Sequence, residues 1–110
     1  PKRVRRLAVR SLLADKARSG QLTVVQDLRL EAPRTKELAA LLVRLGVGAE
    51  KVVLVTAAHN QTLVQAAGNL PGVTVLTART VNVHDLLAHP RLVVTREALD
   101  VLREVWGDDR

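Results

Sequence analysis

The chain has 110 residues, 47% of them hydrophobic, a formal net charge of +6 and no cysteine. That length fits one domain over 1–110 with a sizeable core, and the core must be aliphatic because Trp106 is the single aromatic residue. A disulfide framework, a thiol nucleophile and a cysteine metal site are excluded. No apolar run approaches the ~20 residues of a membrane span, and no signal-peptide core is present. The expectation is a soluble, intracellular chain with no membrane partner. It does not begin with Met, and it reads as a processed or trimmed piece of something longer.

The first predicted helix runs from Pro1 to about Ala17. At about 100° per residue, Val4, Leu7, Ala8, Ser11 and Leu12 gather on one side. Lys2, Arg3, Arg5, Arg6, Arg10 and Lys16 gather on the other, which Val9 and Leu13 share. The apolar side is expected to enter a core, and the cations to face a polyanion. Ser19-Gly20 stops the helix, and Leu22 to Val25 reads as a buried strand. After a connection through Pro33, Thr35 resembles an N-cap for a helix with Leu38, Leu41, Leu42 and Leu45 at helical spacing, ending at Gly46.

Val52 to Val55 is the second strand, and Asn60 caps a third helix to about Ala67. Val73 to Leu76 is the third strand, and Asn82 caps a short helix from Val83 to Ala88. His89-Pro90 stops it. Leu92 to Val94 is the fourth strand, and Thr95 caps a last helix from Arg96 to about Trp106, followed by a polar tail. The strands are short continuous apolar runs, as in parallel sheets covered on both faces. The predicted class is α/β: a three-layer α/β/α sandwich with a four-stranded parallel sheet. Strand order stays open, because short right-handed connections allow several.

Charge is distributed unevenly. Residues 1–36 hold ten Lys/Arg and three Asp/Glu, a net of +7, while residues 37–110 hold seven and eight, a net of −1. A localised positive surface points to a localised anionic partner. Arg18, Arg34 and Lys36 add to the opening cations, and Arg and Lys make most phosphate contacts. The scarcity of aromatics argues against modules that stack unpaired bases, so backbone and shape of folded RNA or duplex are the expected target.

Catalytic signals are weak. Gly46-Val47-Gly48 follows a helix and precedes a strand, the reverse of a dinucleotide-binding turn. His59, His84 and His89 share no metal-ligand spacing. Asp27 lies at the end of the first strand, where α/β folds place ligands, but it has no partner acid or base. A residue binding nearby backbone N–H groups is the plainer expectation for it. No cofactor is implied.

One set of motifs is specific in its order. Leu30-Glu31-Ala32-Pro33-Arg34-Thr35-Lys36 resembles the E-A-P-[KR]-T-K motif of the large-ribosomal-subunit protein L-four family, in its bacterial form. Lys2-Arg3-Val4-Arg5-Arg6-Leu7-Ala8 resembles the segment where that family's globular body resumes after its long loop. Ala67-Gly68-Asn69-Leu70-Pro71-Gly72-Val73, then Val81 to Leu87, then Arg91 to Thr95 continue the likeness over the whole chain. The resemblance implies a non-enzymatic α/β body that binds large-subunit rRNA during assembly, beside neighbouring ribosomal proteins in the cytoplasmic ribosome. Some members also repress their own operon through its messenger leader. The resemblance transfers to Lys2, Arg3, Arg5, Arg6 and Arg10, then to Arg34, Thr35 and Lys36; Lys16 and Arg18, from the charge pattern, complete the expected RNA-binding residues. The family's N-terminal part and extended loop have no counterpart here, so no exit-tunnel role attaches to any residue. Gly68 stands where many members have Arg.

Two other readings compete. A small nucleotide-binding α/β enzyme would use the strand-end residues Asp27, Thr56 and His59. An interaction scaffold would use the last helix, with Trp106 as its anchor.

Overall fold

The computed structural model describes residues 2–48 and 50–107. Pro1 and most of the predicted tail lie outside the described residues. Among the described residues, five helices and four strands alternate: α1 (Lys2–Arg18), β1 (Leu22–Val25), α2 (Thr35–Arg44), β2 (Val52–Thr56), α3 (Gln61–Ala67), β3 (Val73–Thr77), α4 (Val83–Ala88), β4 (Arg91–Thr95) and α5 (Arg96–Trp106). All strand pairs are parallel, in the order β1-β4-β2-β3. Helices cover both faces, which makes the α/β/α sandwich that the apolar runs predict.

Alternation along the strands divides the core between two layers. Val52, Leu54 and Val93 face α2 and α3, where Leu38, Leu42, Leu63 and Ala66 close the layer. Val53, Val55, Leu92 and Val94 face the other way, against Val9, Leu86, Ala98 and Leu102 of α1, α4 and α5. The central strands β2 and β4 are almost wholly buried. The apolar run of β1 predicts a buried strand, but β1 lies at an edge, with Val24 40% exposed.

Capping residues set the helix starts. Asn60, Asn82 and Thr95 each accept an N–H from the first turn of the helix they precede, which satisfies donors that a helix leaves open. α2 departs from expectation. Its N-cap is Arg34, with no side-chain cap bond. Thr35 already lies inside the helix, and its hydroxyl donates to the Ala66 carbonyl at 3.1 Å, pinning α2 to α3. At the end of α1, Gly20 takes φ +76°, a left-handed turn that glycine adopts without a Cβ clash, and the chain bends into β1.

α1 docks on a different side from the one its hydrophobic pattern suggests. Val9 is fully buried and Lys16 nearly so, with Leu12 and Leu13 packed beside them. Val4 and Leu7 are 63% and 50% exposed. The core-facing side is therefore rotated from the expected one by roughly a third of a turn. The cause is length. Its 17 residues make about 25 Å of helix, whereas a strand of five residues spans about 16 Å. Only the later turns of α1 meet the sheet, and there Val9, Leu12, Leu13 and Lys16 share a side. Val4 lies on the first turn, beyond that stretch, and Leu7 lies on the side of the helix opposite Val9, so neither meets the core.

A candidate nucleic-acid interface

Lys2, Arg3 and Arg5 occupy the turns of α1 that stand clear, and all three are exposed. Arg6 and Arg10, one turn on, are half-buried, and the Arg6 Nε is enclosed without a hydrogen-bond partner. No acid occurs in α1 before Asp15. The exposed Arg18 pairs with Asp15 through a charge-assisted hydrogen bond.

Lys16 does not join this row. Its ammonium turns inward and donates to the carbonyls of His89 at 2.7 Å and Pro90 at 3.3 Å, which lie where α4 ends and β4 begins. The aliphatic stem covers apolar surface while the head meets carbonyls that have lost their helical partners. His89 extends the link. Its Nδ1 donates to the Asp85 carbonyl at 2.7 Å, and its Nε2 is hydrogen-bonded to the Thr74 hydroxyl at 2.9 Å. One buried chain of polar groups thus ties α1, α4 and β3.

Burial lowers the Lys16 pKa from its ordinary 10.5, because desolvation disfavours the charged form. Between the lowered folded value and 10.5, the unfolded chain binds the extra proton, so this residue's contribution to stability rises with pH through that window. Lys16→Met is expected to cost about 1–3 kcal/mol through the unsatisfied carbonyls. Urea melts at about pH 8 and about pH 10 should show the gap from wild type widening at the higher pH.

Arg34 and Lys36 are exposed at the start of α2, on the opposite face of the sheet from α1. That helix start has no side-chain cap, so its open N–H groups add partial positive charge. Thr35 is half-buried and bonded to Ala66. The fold also collects cations not singled out from the sequence. Arg29, Arg79 and Arg96 each follow a strand, are exposed, and so lie at the carboxyl edge of the sheet beside Arg34 and Lys36. Arg29 pairs with Asp27 at 3.5 Å. The available signal was topological: in a parallel sheet, every strand-to-helix loop emerges at one edge.

The strand-end residues of the enzyme reading come together only in part. Asp27 and Thr56 line a polar hollow of about 170 Å³ with Gln26, Thr95 and Glu97. Their polar atoms are engaged locally. Asp27 Oδ1 accepts the Leu28 N–H at 2.8 Å, and the Thr56 hydroxyl donates to the Ala58 carbonyl at 2.7 Å. His59 is exposed, lies outside the hollow, and pairs with Gln61. Among the described residues no group of three His, Asp or Glu side chains is arranged to hold a metal ion. Trp106 is half-buried in the core layer, and its indole N–H donates to the Ala78 carbonyl at 2.8 Å. It is therefore a packing anchor that returns the end of α5 to the loop after β3, rather than an exposed interaction anchor.

These features define a basic three-layer α/β domain that displays cations on a helix standing clear of its core and at one edge of its sheet. The chain belongs to the Ribosomal protein L4/L1 family, whose sequence profile matches residues 1–105. It is 47% identical over 105 residues to the large ribosomal subunit protein uL4 of Moorella thermoacetica, covering 96% of this chain and 50% of that protein. The uL4 proteins of Heliobacterium modesticaldum and Desulforudis audaxviator are 46% and 47% identical, over 97% and 96% of this chain and 51% and 50% of theirs. The chain spans about half the length of these relatives.

Proposed function

We propose that this chain is a structural, non-catalytic constituent of the large ribosomal subunit in the cytoplasm, and that it binds large-subunit rRNA and supports assembly. The observation that carries the reading is the exposed, acid-free cationic start of α1: Lys2, Arg3 and Arg5, with Arg6 and Arg10 behind them. Arg18, Arg34 and Lys36 extend the positive surface, while Lys16 and Thr35 hold the framework in place. The names of the relatives support the ribosomal setting. Neighbouring ribosomal proteins are the further partners, and a messenger leader folded like the rRNA site would meet the same surface. Phosphate contacts dominate such binding and release counterions, so affinity falls linearly on a log–log plot against salt.

Filter binding of the chain to a transcript of bacterial large-subunit rRNA, at graded salt, tests this. The expected slope reflects several phosphate contacts, and a slope near zero overturns the reading. Saturable nucleotide binding in a calorimeter that Asp27→Ala abolishes would favour the enzyme reading instead.

A further inference from the structure

The side of α1 that its sequence pattern marks as apolar is the side the fold leaves uncovered. Val4 and Leu7 are 63% and 50% exposed, Ser11 is exposed and Ala8 is half-buried. At about 100° per residue these four form one stripe, facing away from Val9 and Lys16. Arg3 and Arg10 border it on one side and Arg5 on the other. Two exposed aliphatic residues mean little by themselves. Here they lie between Arg3 on one side and Arg5 on the other, both exposed, in a stretch without an acid.

Charge complementarity selects the occupant. It must present anions along both rims and a less polar surface between them. An RNA duplex does this at its minor groove, where two phosphate backbones flank a floor of riboses and base edges. The groove of A-form RNA is wide and shallow. The minor groove of B-DNA, about 6 Å wide, is too narrow for a helix about 10–12 Å across.

We infer, on the reading of α1 as an RNA-contacting helix, that its Val4–Leu7–Ser11 stripe lies against the minor groove of an RNA duplex. Val4 and Leu7 pack on ribose faces, the Ser11 hydroxyl meets a 2′-hydroxyl, and Arg3 and Arg5 reach phosphates of the two strands.

The apolar and ionic parts of this interface separate in a salt titration, because only the ionic part releases counterions. For the full chain and the rRNA transcript, the double variant Val4→Ser with Leu7→Ser is expected to bind roughly tenfold more weakly at every salt concentration. Its line runs parallel to that of wild type. Wild-type affinity in the double variant, with circular dichroism showing an intact fold, overturns the inference and leaves RNA binding standing. Failure of the wild-type chain to bind overturns both.

A second measurement uses the absence of cysteine. A hydroxyl-radical source tethered to Leu7→Cys is expected to cut riboses on both strands of a paired segment. Cuts confined to unpaired loops, or no cuts while the complex forms, also overturn the inference. The latter result means that the stripe points away from the RNA in the complex.

Discussion

Replacing Lys2, Arg3 and Arg5 together by glutamine is expected to weaken binding to large-subunit rRNA by about a hundredfold at moderate salt, with the fold intact. A unit charge about 4 Å from a phosphate in water is worth about 1 kcal/mol, and three such pairs amount to about two orders of magnitude in affinity. The slope of log affinity against log salt should flatten by roughly 0.7–0.9 for each phosphate that is no longer neutralised. These three side chains are exposed, so thermal stability should change by less than about 0.5 kcal/mol. Arg6 and Arg10 are left in place because both are half-buried, and removing them would mix a packing change into the result. An unchanged salt slope in the triple variant would remove α1 from the RNA surface.

The second large effect tests how α1 docks. Val9→Asp should destabilise the chain by at least about 3 kcal/mol, because it removes a buried aliphatic group and buries a carboxyl without a partner. Total stabilities of such domains are about 5–15 kcal/mol, so a sizeable fraction would unfold at modest denaturant. Val4→Asp should stay within about 0.5 kcal/mol of wild type. Urea unfolding followed by circular dichroism gives both values. The helical wheel drawn from sequence alone predicts the opposite order, with Val4 in the core and Val9 among the cations.

Most of the fold was legible because local signals agree with one another. α4 and α5 begin and end where Asn82, His89-Pro90 and Thr95 place them, and β1 occupies the predicted run. Even strand order left a trace. The two strands interrupted inside by threonine, β1 at Thr23 and β3 at Thr74, are the edges, while the uninterrupted runs of β2 and β4 are central.

The candidate site was legible as a concentration of charge but not as a set of free cations. Whether Lys16 faces solvent depends on where the end of α4 falls, and His89 and Pro90 are remote from it in sequence. Its spacing from Val9, on the side shared with Leu12 and Leu13, was the one local hint. The docking side of α1 was missed for a related reason. A wheel weights every residue equally, whereas a helix longer than its sheet is oriented only by the turns that touch it.

The pairing of β1 has a consequence for how the protein is made. Its sole neighbour in the sheet is β4, with Leu22 opposite Leu92, and Lys16 of α1 is held by the carbonyls of His89 and Pro90. During synthesis α1 and β1 emerge well before their partners, since Lys16 is separated by 73 and 74 residues from the carbonyls that hold it. Pairings this distant in sequence form late and slowly. The cationic helix is thus seated only after α4 and β4 have left the ribosome that is making them. A nascent fragment stopping short of residue 91 carries the same charges on an unanchored segment. Ordered presentation of the basic helix therefore marks a chain that has been synthesised past β4.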